Sequence, residues 1–477
     1  MANKGDYFDS QEFKELLQRY EDDQRHHTNG YFEPDELTDL SEYYYDEEGD
    51  RKRAVQILDE AIETFPGAAM PLIFRGRIAM LDEHDTKKAR AYARQVDDTS
   101  VLDYHYLQAE ILLTEGRTDE ADSYLRHQLD LIDEDDRPDY VLDVATIYTD
   151  YALFDKAQTW LRLSDEPDLA DYKEVEGRIA YSKGNYDKSE RIFQKLIDDN
   201  PYSTQLWNSL AGVQLMNNRI NDAITSSEFS IAINPRDDEA ILNKANGLFS
   251  LGNYEEALKY YKRFTELCPD EESGYMYQGN TLLNLGKTHE AEEQFRMAEM
   301  VAPPTSTNLS DIYQQIAYTL SAQGQTSNAL AYIDKALAIP TSDKPHIHVL
   351  RGYILLEQNR VDDAQDCFSK ALQMSGNDPK VYFHIGTSAF DCGYTSVAYD
   401  MFHALLETDY EDKQNILPYL TYCCWLLGYD IEFLERLKAS VENDPVETRR
   451  VLSDIFPKHL EPEDYYEYAQ STLLKGH

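Results

Sequence analysis

Cys423 and Cys424 are adjacent, and two thiols in sequence could answer an oxidant. On a helix, however, neighbouring side chains point about 100° apart. No Lys/Arg cluster or helix start stands nearby to lower a thiol pKa, so the pair reads as ordinary buried cysteine. Residues 130–139, DLIDEDDRPD, offer carboxylates for a cation. They lack the Asp-x-Asp-x-Asp-Gly order and closing Glu of a calcium hand, and read as a solvated loop. His346 and His348 sit beside Pro345 without a third ligand, and Cys268, Cys367, Cys392, Cys423 and Cys424 show no metal-ligand spacing. Gly-x-Ser-x-Gly, His-Glu-x-x-His, a phosphate loop and a dinucleotide fingerprint are all missing. The expectation is therefore no catalytic residue, no metal, no cofactor and no enzyme, which leaves the chemistry of binding.

Charge narrows the partners. The chain has 45 Lys and Arg against 89 Asp and Glu, a net charge of −44. Residues 1–50 hold 16 acids and 4 bases, and residues 101–150 hold 14 and 3, so the field is concentrated towards the N-terminus. Such a surface repels a phosphate backbone and does not seek anionic lipid, because both need Lys and Arg to replace counterions. Neither nucleic acid nor membrane insertion is expected. A basic peptide or basic protein surface fits the field, and the same charge also serves solubility alone.

The element that must position any binding residue is a repeat. Pro201, Pro235, Pro269 and Pro303 stand at intervals of 34 residues, each closing a segment with small and large apolar residues at the same offsets. That period belongs to a helical-hairpin solenoid, whose stacked units leave a long surface for another molecule. Residues 272–305 carry Tyr275, Gln278, Gly279 and Leu282, then Ala291, Phe295 and Ala298. One unit earlier the same offsets hold Ile241, Lys244, Ala245 and Leu248, then Ala257, Tyr261 and Phe264. A small residue such as Gly279 lets two helices approach, and Phe295 fills the space between hairpins. Gly184, Gly252 and Gly286 stand where a first helix must stop, where positive φ is needed.

This pattern resembles the tetratricopeptide repeat family over roughly residues 35–440, with the clearest units at 170–305. The resemblance implies an all-α fold: a right-handed superhelical α-solenoid of about 11–12 helix-turn-helix units. Residues 1–34 read as an N-terminal capping helix, with Ser10 as cap before Phe13, Leu16, Leu17 and Tyr20. Residues 441–477 read as C-terminal capping helices, with Val451, Leu452, Ile455 and Phe456 before Pro457.

In this family the first helix of each hairpin lines the concave face. Carrying over its groove positions places Asn208, Leu215 and Met216, then Asn246 and Phe249, then Met276, Asn280, Leu283 and Asn284, then Gln314 and Tyr318 along one groove. Asn246 and Asn280 occupy the same ninth position, and stacked amides can hydrogen-bond an extended peptide backbone whatever its side chains. The alternative is that both satisfy neighbouring helix groups or face water. Some members clamp C-terminal carboxylates with Lys at the fifth position and Asn at the ninth. Leu242 and Met276 stand where that Lys is required, which removes the support for such a clamp.

The expected function is a non-catalytic adaptor or scaffold of a bacterial cytoplasm that holds a peptide or protein in the groove. The N-terminus lacks a basic segment followed by an apolar core, and no stretch approaches the roughly 18 apolar residues of a membrane span. The alternative is a self-associating homo-oligomer using Tyr43, Tyr44 and Tyr45 and Tyr465, Tyr466 and Tyr468 near the two ends.

Overall fold

Helical hairpins follow one another along the chain in the computed structural model, which describes residues 5–8, 10–26, 30–46, 48–408, 410 and 412–474. No strand occurs among them. The packing groups the chain into two compact units, with the boundary in sequence between Pro235 and Arg236.

The first unit begins with α1 (Gly5–Phe8) and α2 (Gln11–His26). Six hairpins follow: α3 (Pro34–Asp46) with α4 (Arg51–Thr64), α5 (Ala69–Leu81) with α6 (Thr86–Ala93), and α7 (Leu102–Thr114) with α8 (Thr118–Leu129); then α9 (Arg137–Asp150) with α10 (Phe154–Leu161), α11 (Ala170–Ser182) with α12 (Tyr186–Asp199), and α13 (Thr204–Met216) with α14 (Ile220–Ile233). The second unit has six more: α15 (Asp238–Ser250) with α16 (Tyr254–Leu267), α17 (Glu272–Asn284) with α18 (Thr288–Val301), and α19 (Leu309–Ala322) with α20 (Thr326–Ala338); then α21 (Lys344–Glu357) with α22 (Val361–Ser375), α23 (Pro379–Asp391) with α24 (Thr395–Leu406), and α25 (Leu417–Leu427) with α26 (Asp430–Asn443). Within each unit the second helix of one hairpin packs on the first helix of the next.

One steric exchange recurs in several hairpins. A Cβ added to Gly279 would lie 2.5 Å from the Phe295 ring; at Gly352 it would lie 2.3 Å from Phe368, and at Gly386 2.6 Å from Phe402. In each case the ring stands sixteen residues after the glycine, on the second helix of the same hairpin. Where the first helix carries Ala instead, at Ala109, Ala145 and Ala317, the residue sixteen on is Leu125, Leu161 or Ile333. In the glycine hairpins the missing methyl makes room for the ring; α15/α16 is an exception, where Ala245 is followed sixteen residues on by the buried Tyr261. Phe295 and Phe402 are fully buried, and each such ring contributes roughly 1.5–3 kcal/mol of transfer free energy.

The turn after the first helix is equally regular. Gly252 and Gly286 take φ of 74° and 73°. In other repeats the same place is held by Ala152, Asn218 and Asn359 at φ of 55°, 58° and 56°, so the sharp turn persists where glycine has been lost. Side-chain caps start several first helices: Ser203 on α13, Asp237 on α15, Asp343 on α21 and Asp378 on α23.

At the start, the Ser10 hydroxyl accepts the Phe13 N–H at 3.1 Å, and α2 buries Phe13, Leu16 and Tyr20. At the far end, α27 (Pro445–Val451) leads to buried Leu452 and Phe456, and the Phe456 ring stacks 3.9 Å from Tyr465 on α28 (Tyr465–Tyr468). The tyrosines offered as self-docking points are mostly used inside these ends. Tyr44 and Tyr465 are buried, Tyr43 packs on Phe8 and Phe13, and Tyr45, Tyr466 and Tyr468 are half-buried.

Candidate protein-binding face

The first helices of the second unit carry the longer part of the expected groove. Asn246, Phe249, Met276, Asn280 and Leu283 are half-buried, and Asn284 is exposed. Tyr318 keeps 39 % of its surface open. Asn246 is the residue most changed by its surroundings. Its Oδ1 accepts the Tyr261 hydroxyl at 2.8 Å, so it braces the two helices of its own hairpin. The Tyr261 ring also stacks 5.3 Å from Tyr277 on the next first helix, and burial pushes its hydroxyl pKa up, with Tyr277 adding to the effect. Asn284 donates from Nδ2 to the backbone carbonyl of Asn280 at 2.9 Å, and the side-chain amide of Asn280 makes no hydrogen bond among the described residues. Asn246 and Asn280 thus share a repeat position without sharing a role.

Gln314 differs from the expectation. It is buried, and its amide donates to Asp311 at 3.1 Å and to the Ser310 carbonyl and hydroxyl at 3.3 Å, within the first turns of α19. A side chain spent on its own helix start is not presented to a ligand. Asn208, in the first unit, is also buried, while Leu215 is half-buried and Met216 is 54 % exposed. These three belong to the first unit and the other eight to the second.

Two further features of these faces escaped the sequence reading. In the first unit, successive first helices are joined by polar cross-links. The buried Arg77 guanidinium on α5 pairs with Glu110 and Asp103 of α7 at 2.9 and 3.4 Å. The Tyr106 hydroxyl donates to Asp143 of α9 at 2.8 Å, Arg178 of α11 meets Asp150 at 2.7 Å, and Gln205 of α13 reaches Glu174 at 2.8 Å. Burial holds the Asp143 and Glu174 carboxyls above their ordinary pKa, so this face is partly desolvated.

In the second unit the aromatic series continues past Tyr318. Tyr318 stacks on Tyr353 of α21 at 6.0 Å, Phe383 of α23 stacks on Tyr410 at 6.3 Å, and Phe390 meets Tyr419 and Tyr422 edge-on at 5.2 and 5.4 Å. The signal for these residues was present: Gly352 and Gly386 set the register, and Tyr353 follows Gly352 as Asn280 follows Gly279.

Residues 102–135, 175–228, 238–271 and 315–379 match tetratricopeptide repeat family models. The chain carries tetratricopeptide repeats. The α17/α18 hairpin lies between two matched segments, and its Gly279–Phe295 packing recurs as Gly352–Phe368 in the segment that follows. Among relatives, the chain is similar to protein O-mannosyl-transferase TMTC3 of Homo sapiens, 24 % identical over 166 residues, covering 33 % of this chain and 18 % of the transferase. It is also similar to the STIP1 homolog of Dictyostelium discoideum, 28 % identical over 116 residues, covering 24 % of this chain and 20 % of that one. The matched segments thus span about a fifth of these relatives' own length. Among solved structures, yeast Tom70 aligns over 93 % of this chain and 98 % of its own at 13 % identity with a TM-score of 0.46. A tetratricopeptide repeat protein from Parabacteroides merdae aligns over 51 % and 94 % at 15 % identity with a TM-score of 0.43. No described helix of the repeat chain is long and apolar enough to cross a membrane.

Proposed function

We propose that this chain is a non-catalytic adaptor or scaffold that holds a peptide segment or protein partner on the first-helix face of its tetratricopeptide repeats. The observation that carries the reading is the second unit's face. There an uncommitted Asn280 amide and the exposed Asn284 share the first-helix face with partly open apolar side chains, Phe249, Met276, Leu283 and Tyr318. An amide beside apolar surface suits an extended segment: the backbone is gripped by hydrogen bonds and the side chains by contact. The acidity of the chain favours a partner with a basic surface. The similarity to TMTC3 of Homo sapiens extends over 166 residues and 18 % of the transferase.

Asn280 is the residue through which to test this. Asn246→Ala would also remove the acceptor of the Tyr261 hydroxyl and confuse binding with stability. A photoreactive side chain at position 280, compared with one at exposed Glu293 on the outer helix α18, distinguishes the faces directly.

A further inference from the structure

Beyond Tyr318 the second unit holds an open concavity of about 460 Å³ between the ends of α21 and α23. Its walls are Tyr353, Tyr394, Cys392 and two carboxylates, Glu357 and Asp391, which close the first helices of successive repeats. Glu357 accepts the Ser321 hydroxyl and, at 3.3 Å, the Tyr353 hydroxyl. Asp391 is exposed and has no hydrogen bond or ion pair among the described residues. Neither carboxylate is ion-paired among the described residues. Arg450, whose field reaches Asp391, already binds Glu447 and the Tyr419 hydroxyl. Burial, then Glu357 and Asp391, push the Cys392 thiol up to about 12, so both carboxylates act on one wall and the thiol there stays neutral.

We infer that this concavity takes a cationic side chain, a lysine ammonium or arginine guanidinium, from a partner segment bound along the same face. Two carboxylates without a resident cation supply the charge, and the Tyr353 ring in the same wall, itself stacked on Tyr318 outside it, supplies surface for the alkyl stem and cation–π contact. A metal ion does not fit. Among the described residues no group of three His, Cys, Asp or Glu side chains is arranged to hold one. The inference rests on the adaptor reading and adds the chemistry of one anchor.

The test is fluorescence anisotropy on the full chain with a fluorescein-labelled Gly-Ser-Lys-Arg-Gly-Ser peptide. The comparison peptide carries Nε-acetyl-lysine and citrulline, and circular dichroism confirms the fold of every variant. The expected result is saturable binding, weakened about tenfold or more by neutralising the peptide, by Asp391→Asn, and by Glu357→Gln/Asp391→Asn. Asp133→Asn/Glu134→Gln, which removes the same charge from an exposed loop, should bind as wild type does. Three results would overturn the inference: no saturable binding, equal binding by the Asp391→Asn variants, or an equal loss in the loop control, which would mean diffuse attraction to an acidic chain. Partner crosslinks from position 280 alongside any of these would leave the adaptor reading standing and remove only this anchor.

Discussion

Replacing Gly352 by Ala should change sign in effect according to what stands at position 368. In wild type the new methyl would sit 2.3 Å from Phe368 Cε1, closer than any relaxed carbon contact, and the ring is buried at 5 % exposure with little room to move. Overpacking of this kind costs about 1–3 kcal/mol. Against it stands the helix preference for Ala over Gly, about 1 kcal/mol in the interior of α21. The net expectation is a loss of roughly 0–2 kcal/mol. Phe368→Leu alone should cost roughly 1–2 kcal/mol for the missing part of the ring. With Leu in place the clash is gone and the propensity gain is free to act, so Gly352→Ala should now stabilise by up to about 1 kcal/mol. The chain already contains such pairs in Ala109 with Leu125 and Ala145 with Leu161. Because repeat arrays need not unfold in one step, the readout is amide-exchange protection of α21 and α22 in the four proteins, supported by urea titration. An equal effect of Gly352→Ala in both backgrounds would refute the volume-exchange argument.

Two further expectations concern ionisable groups. Burial pushes the Cys423 and Cys424 thiols up to about 12, so at pH about 8 both should resist a thiol reagent in the folded chain and react only with unfolding; fast labelling of either in the native state would contradict their burial. Hydrogen bonds from Arg90 and Arg117, opposed by some burial, hold Glu115 down to about 2. A depressed folded pKa gives stability that is complete above the unfolded value and is lost as pH falls towards the folded one. Urea midpoints of wild type should therefore fall between pH about 4.5 and about 2 by more than those of Glu115→Gln; parallel curves would show that the arginines do not matter there.

The repeat itself was legible because its physics is local. Proline spacing, Gly252 and Gly286 in their turns, and the Gly279–Phe295 pair each write one constraint into one hairpin. The face was less legible because repeat position fixes where a side chain starts, while its partners come from other helices. Asn246 and Asn280 look equivalent in register, yet a tyrosine at 261 claims one of them. Gln314 occupies a groove position but turns back onto Ser310 and Asp311, two residues at its own helix start. The cross-links Arg77–Glu110 and Tyr106–Asp143 join residues more than thirty apart, where the periodicity is weak. The division after Pro235 left no mark in composition, since no Gly/Ser or Pro-rich linker stands there.

The central claim is that a partner lies on the first-helix face of the second unit. The most direct measurement introduces p-benzoylphenylalanine at position 280, and separately at position 293, into the full chain in its host's lysate, irradiates, and identifies adducts by mass spectrometry. The account predicts adducts to another protein from position 280 and none from position 293. Adducts only from position 293, or adducts from 280 solely to a second copy of this chain, would contradict it.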